Sequence, residues 1–272
     1  MKRNSSLTLK KPEHLQKTRK TARDPFIVYD FYDKLNTLFV QHNVMEDSKA
    51  AFIFNCDESG LSSDPSRLRG IGETGKPLCR ISGGSGRETT SVLLCISANG
   101  SFLPPLIVFK GKTGVQARWT SENCYPGTQY ATSTNGWMEE PQFYNWFKDV
   151  FILYVKNLRE ANNLPTQTGI LIFDGHSSHS SIRIIEEALT NRIQLVRLPS
   201  HLTDRIQPLD KCVFGPLKIK WDKLLVNFGK TQIGQGSCRL TREKFGEFLG
   251  LTLFWQNSNW SRILSPNKRK IR

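Results

Sequence analysis

The hydrophobic residues of this chain fall into two kinds of pattern, and each pattern predicts a type of element. Short apolar runs rich in β-branched and aromatic residues predict strands, and they lie at 51–56, 89–98, 102–109, 169–173 and 193–198. Apolar residues that recur every three or four positions predict helices, and they lie at 26–44, 139–162, 180–189, 211–228 and 241–255. The order of these elements predicts an α/β fold, in which a mixed five-stranded sheet has helices on both faces.

Turn signals refine the strand assignment. Asn99 and Gly100 separate the second and third predicted strands, and this dipeptide favours a tight β-hairpin. Pro104 and Pro105 lie in the third predicted strand. Because proline donates no backbone hydrogen bond, they suggest an edge strand or a bulge there.

The charge of the chain indicates a polyanionic partner. The 272 residues include 38 Lys and Arg against 24 Asp and Glu, a formal net charge of +14. Basic proteins gain affinity for nucleic acid when they neutralise phosphates and release counterions, so we expect DNA as the partner. The six cysteines form no C-x-x-C pair, so we expect no zinc ribbon or redox pair. Cys56 and Cys95 lie in apolar runs and are predicted core thiols, which favours a reducing compartment, the cytosol or nucleus. No apolar run approaches the length of a membrane span, so we expect no membrane partner.

Three aspartates are the candidate catalytic residues. Asp57 and Asp174 each follow an apolar strand, and Asp210 lies where a loop leads into a predicted helix. If the two strands are neighbours, these carboxylates converge at one edge of the sheet, where sites in α/β proteins commonly form. Crowded carboxylates repel each other, and Mg²⁺ relieves that repulsion with its preference for oxygen ligands. Each acid alone also fits a turn or a helix cap; the three together favour a metal site.

Other chemistries have weaker support. His176 and His179 are spaced as zinc ligands, yet no cysteine or further histidine completes a zinc site. The sequence around them does not match the nucleophile elbow of serine hydrolases. Trp119 and Trp137 lie in predicted loops and are candidates for stacking on nucleic-acid bases.

Three motifs around the aspartates resemble a known family. They are Asn55-Cys-Asp-Glu-Ser-Gly-Leu61, Leu171-Ile-Phe-Asp-Gly-His-Ser-Ser-His179 and Ile206-Gln-Pro-Leu-Asp210 with Val213-Phe-Gly-Pro-Leu-Lys218 behind it. Together they resemble the DDE-type transposase domain of the pogo, Tigger and Jerky group. The last motif is highly specific, and the resemblance runs from about residue 5 to about residue 255.

The resemblance implies an RNase H-like fold and a metal-dependent nuclease that cleaves and transfers DNA strands. It assigns Asp57, Asp174 and Asp210 as the catalytic and metal-binding triad, with two Mg²⁺ or Mn²⁺ ions. A nuclear location follows from a DNA substrate. We expect a basic linker and lead-in helix at 1–48, the DDE domain at 49–256 and a basic tail at 257–272. We do not expect these residues to include the helix-turn-helix domains that precede this linker in the family.

Two alternatives to an active nuclease remain open, and self-association is compatible with each. The chain is either a non-catalytic DNA-binding or chromatin protein that derives from a transposase, or an inert relic of one. From charge and placement alone, five residues are candidates for phosphate contacts: Arg87, Lys110, Lys112, Lys211 and Lys218.

Overall fold

The chain folds around one mixed sheet of six strands. The computed structural model describes residues 24–64, 73–76, 89–175, 181–200, 202–231 and 240–264. The strands are β1 Ile53–Ser62, β2 Thr89–Ser97, β3 Leu106–Lys110, β4 Gln129–Ser133, β5 Gly169–Phe173 and β6 Ile193–Arg197. Their order across the sheet is β4-β3-β2-β1-β5-β6. β2 pairs antiparallel with β1 on one side and with β3 on the other. The other three pairs, β3 with β4, β1 with β5 and β5 with β6, are parallel.

Helices surround this sheet. They are α1 Pro25–Gln41, α2 Glu140–Trp146, α3 Leu153–Ala161, α4 Ile182–Thr190, α5 Thr203–Ile206, α6 Phe214–Thr231 and α7 Arg242–Leu264. A π-helical segment, Phe147–Ile152, joins α2 to α3, and a second one, Leu209–Val213, leads into α6. The last helix continues past residue 256, where the sequence predicted the end of the domain. Within the described residues, no helix is both long and apolar enough to span a membrane.

The central strands are apolar on both sides, which places a hydrophobic core on each face of the sheet. In β2, Leu93 and Cys95 belong to the core beneath α2, α3 and α4. Val92 and Leu94, which alternate with them, belong to the core beneath α6 and α7. The predicted helices on both faces are therefore confirmed.

The five-strand prediction was one strand short. β4 lies in a connection that we expected to be a loop, and its sequence, Gln-Tyr-Ala-Thr-Ser, has no apolar run. Hydrogen bonding to β3 specifies this strand rather than its own hydrophobicity. Because β4 covers β3, Pro104 and Pro105 do not mark an edge strand. The bulge that the sequence also suggested is confirmed: between the Leu93–Leu106 pair and the Ile96–Phe102 bridge, two residues of β2 lie opposite three residues, 103–105.

Candidate active site

Asp57 lies at the point in the sheet where β1 loses one of its two neighbours. The sequence predicted that Asp57 ends its strand, but β1 continues to Ser62 because its second half pairs with β2. The parallel pairing with β5 ends at Asn55 and Ile172. The backbone of Asp57 is therefore fixed by β2, while the neighbouring position on the β5 side is open. Its side chain is 7% exposed.

Asp174 and Asp210 approach this edge from two other elements. Asp174 is the first residue after β5, the strand next to β1, and its side chain is half-buried. Asp210 lies in the first turn of the π-helical segment that leads into α6, where it is exposed. The three acids thus come from a strand, a strand end and a helix start, as the sequence predicted apart from the position of Asp57 within its strand.

A buried pair of amides fixes the segment before Asp210 to the sheet. Asn55 Nδ2 donates to Gln207 Oε1 at 2.6 Å and to the Ile172 carbonyl at 3.0 Å. Asn55 Oδ1 accepts from the backbone N–H of Leu209 at 3.1 Å, and Gln207 Nε2 donates to the Cys56 carbonyl at 3.4 Å. These bonds connect residues that lie one to three positions before each of the three acids.

The carboxylates act on each other electrostatically. The pKa of Asp57 is raised from 3.8 to about 8, first by burial, and then by the negative charges of Asp210, Glu58 and Asp174. A hydrogen bond from the Glu58 backbone N–H to Asp57 Oδ1, at 2.9 Å, opposes this rise only in part. The three predicted acids, together with Glu58, therefore form one electrostatic cluster.

The raised pKa of Asp57 has a testable consequence for stability. The folded chain retains this proton up to about pH 8, whereas the unfolded chain loses it near 3.8. The contribution of Asp57 to the free energy of unfolding is thus fully present below its pKa in the unfolded chain, 3.8. It is lost as the pH rises through its pKa in the folded chain, about 8. We expect the Tm of the metal-free protein to fall by several degrees between pH 5 and pH 9, at about 2–4 °C per kcal/mol, and Asp57→Asn to remove most of that fall.

Asp33→Asn is the matched control for that measurement, because Asp33 is exposed on α1. Its dependence of Tm on pH is expected to equal that of the unsubstituted chain. An unchanged pH dependence in Asp57→Asn would show that the Asp57 carboxyl does not hold a proton at neutral pH.

The donor set suits a hard divalent cation. Mg²⁺ is bound by one or two carboxylates and otherwise keeps water and phosphate oxygens, so it needs no closed cage of protein ligands. In the described part of the chain, no group of three or more His, Cys, Asp or Glu side chains is already arranged to hold an ion. Asp57, Asp174 and Asp210 are the residues that would hold one, since their mutual repulsion is what a cation relieves.

Comparison with known proteins identifies the family. The model of the DDE superfamily endonuclease family matches residues 87–251, more than half of the chain. The chain belongs to the DDE superfamily endonuclease family. The matched segment includes Asp174 and Asp210, and Asp57 precedes it on the strand at the centre of the cluster.

Two curated relatives show how much of a longer protein this DDE domain represents. The human "Pogo transposable element with KRAB domain" is 25% identical over 223 residues, which cover 81% of this chain and 34% of that protein. A Cochliobolus lunatus protein named as an MFS-type transporter is 28% identical over 182 residues, or 66% of this chain and 19% of that protein. The chain therefore spans about a fifth to a third of these relatives, and the pogo match confirms the resemblance.

The fold is also that of a solved transposase. A structure of a pre-cleavage Mos1 transpososome matches with a TM-score of 0.52 at 10% identity, over 100% of this chain and 69% of that one. A Mos1 mariner paired-end complex with Mn matches with a TM-score of 0.50 at 10% identity, over the same shares of the two chains. At this identity the likeness shows the fold alone, and it confirms the RNase H-like architecture of the DDE domain.

The candidate phosphate-binding residues of the DDE domain occupy different surroundings. Lys110 ends β3 and lines a cleft beside Asp174. Lys112 is exposed two residues later, and Lys211 is exposed next to Asp210. Lys218 is half-buried, with its ammonium 5.5 Å from the centre of the Phe214 ring. Arg87, like His176 and His179, lies outside the described residues.

The two tryptophans predicted as candidates for base stacking differ in their exposure to solvent. Trp119 is 7% exposed and packs edge-on against Phe109, so the prediction of a stacking role for it was wrong. The loop that contains Trp119 folds under α7, which the sequence alone did not reveal. Trp137 is 71% exposed and lines the cleft beside Asp174.

Sequence reasoning missed three polar residues of this site. Glu58 adds a carboxylate to the cluster, and Asn55 and Gln207 connect its parts. The period of two along a strand places Asn55 on the same side of β1 as Asp57, which is the signal that was available. No comparable signal linked Gln207 to Asn55, because 152 residues separate them.

Proposed function

We propose that this DDE domain binds DNA and cleaves its phosphodiester bonds with the help of divalent metal ions. Asp57, Asp174 and Asp210 are the proposed catalytic residues and metal ligands. The observation that carries this proposal is that the three acids come from adjacent elements, β1, the end of β5 and the start of the helix leading into α6, which the Asn55–Gln207 amide pair connects. The raised pKa of Asp57, to which Asp210 and Asp174 contribute, supports it, because active sites regularly shift pKa values in this way.

Each acid has a role that follows from its place. Asp57 is the most buried of the three, so its side chain has the least freedom to move. Exposed Asp210 and half-buried Asp174 can meet ions and substrate from solvent. Two bound Mg²⁺ or Mn²⁺ ions would supply the activation of a water or 3′-hydroxyl nucleophile and the stabilisation of the leaving oxygen.

The proton on Asp57 couples this site to pH. A carboxylate must be deprotonated to bind a metal, so ion binding is expected to release the Asp57 proton and to strengthen as the pH rises towards 8. The Mos1 mariner paired-end complex was solved with Mn, which supports the choice of Mn²⁺ for the first assays.

The proposed substrate is DNA and the proposed location is the nucleus. The net charge of +14 supports a polyanionic substrate. Lys110 lines the cleft together with Asp174, Lys211 follows Asp210, and exposed Lys112 lies two residues after Lys110, so these lysines are the proposed contacts to DNA phosphates. Such contacts position DNA without reading its sequence.

A nicking assay on supercoiled plasmid DNA tests this function. We expect the purified chain to convert the plasmid to the open-circular form with Mn²⁺, more slowly with Mg²⁺, and not at all in EDTA. A gel-shift assay on the same DNA in EDTA reports binding without cleavage.

The two assays together separate the alternatives. DNA binding without nicking under any metal condition would replace the nuclease with a non-catalytic DNA-binding protein. Failure to bind DNA at low salt would contradict both the nuclease and the non-catalytic DNA-binding protein, because each requires the basic chain to bind DNA.

A further inference from the structure

A large cleft adjoins the acid cluster, and Asp174 is the proposed metal ligand that lines it. Its volume is about 900 Å³. Its lining includes two acids, Glu58 and Asp174, and also Lys110, Arg242 and the aromatic ring of Trp137. The same cleft therefore combines acids of the proposed cleavage site with positive charges and an exposed aromatic ring.

The backbone on either side of Trp137 is held firmly in place. Ser91 Oγ donates to the Gly136 carbonyl at 2.7 Å, and Ser133 Oγ donates to the Trp137 carbonyl at 2.7 Å. Gly136 has a φ of +76°, and a Cβ added there would lie 3.1 Å from the Cβ of Lys110. The turn thus requires glycine and is fixed by two buried serines.

The exposure of the Trp137 ring is therefore not a result of a loose loop. The indole is 71% exposed, although the next residue, Met138, is buried in the core. Trp119, Trp146 and Trp221 are all less than 10% exposed. Removing a large apolar ring from water is favourable. A ring that a fixed turn holds in solvent therefore indicates a surface that a ligand covers.

The positive charges beside the ring are also fixed. Arg242 donates to the Lys110 carbonyl at 2.8 Å, and its guanidinium lies 4.6 Å from the centre of the Trp119 ring. These contacts join α7 to the end of β3 and hold the guanidinium at the cleft. Phosphates near Trp137 would meet Arg242 and Lys110 together.

We propose that Trp137 stacks on the base of an unpaired nucleotide of the DNA strand that enters this cleft. Inside a duplex, away from its ends, both faces of a base are covered by its neighbours, so there an indole can stack only on a base that has left the helix. Every base has a flat face, so the contact tolerates any sequence. The proposal rests on the proposed function for its substrate class, DNA, and adds that the bound strand is locally unpaired beside the acids.

Two fluorescein-labelled DNAs test this in EDTA, where no cleavage occurs: a blunt duplex, and the same duplex with a short single-stranded 3′ extension. Trp137→Ala is expected to weaken binding of the extended DNA on the order of 10-fold and to leave binding of the blunt duplex unchanged. Trp137→Phe, which retains a ring, should recover most of the affinity. Tyr29→Ala is the matched control, because Tyr29 is an aromatic residue that is 69% exposed on α1.

A second measurement follows the base directly. The fluorescence of 2-aminopurine in the extension is expected to be quenched by the unsubstituted chain and not by Trp137→Ala. Equal loss of affinity for both DNAs, or no loss for either, would overturn the proposal, as would quenching that survives in Trp137→Ala.

These outcomes are independent of cleavage. If the chain binds extended DNA through Trp137 but never nicks plasmid, the stacking proposal is supported and the nuclease proposal is wrong. If the chain nicks plasmid while Trp137→Ala binds both DNAs normally, the nuclease proposal is supported and the stacking proposal is wrong.

Discussion

Asn substitution of Asp174 or Asp210 is expected to lower Mn²⁺-dependent nicking by about 1000-fold. Each change removes a charged oxygen from the proposed metal site, and the charge stabilisation that a metal provides in the transition state is worth several kcal/mol, at about 1.4 kcal/mol per tenfold change in rate. Asp210 is exposed and Asp174 is half-buried, and asparagine has nearly the same volume as aspartate, so neither substitution opens a cavity in the core. The rate of open-circle formation from supercoiled plasmid is the measurement.

A thermal readout separates loss of metal from other causes. Mn²⁺ is expected to raise the Tm of the unsubstituted chain by mass action and to have much less effect on Asp174→Asn or Asp210→Asn. Asp33→Asn on α1 should nick and respond to Mn²⁺ normally. If both variants nick plasmid at the rate of the unsubstituted chain, the assignment of these acids to the active site is wrong.

Gln207→Leu is expected to lower nicking by about 100-fold and to leave DNA affinity unchanged. The change breaks the bond from Asn55 and leaves the Cys56 carbonyl without its side-chain donor. Because Gln207 holds the segment before Asp210 against β1, its loss lets that carboxylate move, and a displacement of about 1 Å is enough for a loss of this size. Leaving buried polar groups unsatisfied costs about 1–3 kcal/mol each, so the Tm should also fall by about 5 °C.

Gln167→Leu provides the control for stability. Gln167 is half-buried and donates to the His42 carbonyl at 3.0 Å, at the end of β5 opposite to Asp174. We expect this variant to lose stability and to nick at the normal rate below its Tm. If Gln207→Leu behaves in the same way, the amide pair stabilises the fold without positioning Asp210.

The strands and helices of the core were predictable because their residues repeat at the period of the element they form. β5 is a continuous apolar run, β2 contains one from Val92 to Ile96, and α6 has apolar residues at helical spacing, so burial and periodicity indicate the same structure. β4 and the second half of β1 were not predictable, because their polar residues pair with neighbours that are distant in sequence. Local pattern does not contain that information.

The sequence by itself determined the α/β class, the basic charge and the three aspartates with their motifs. Each depends on residue type or on spacing within a single element. Only the tertiary structure decided which groups meet: Glu58 joined the acids, the amide pair of Asn55 and Gln207 joined two elements, and of two loop tryptophans one was buried and the other left in a cleft. These outcomes depend on how the elements pack across the sheet, and packing is specified by contacts between residues far apart in the chain.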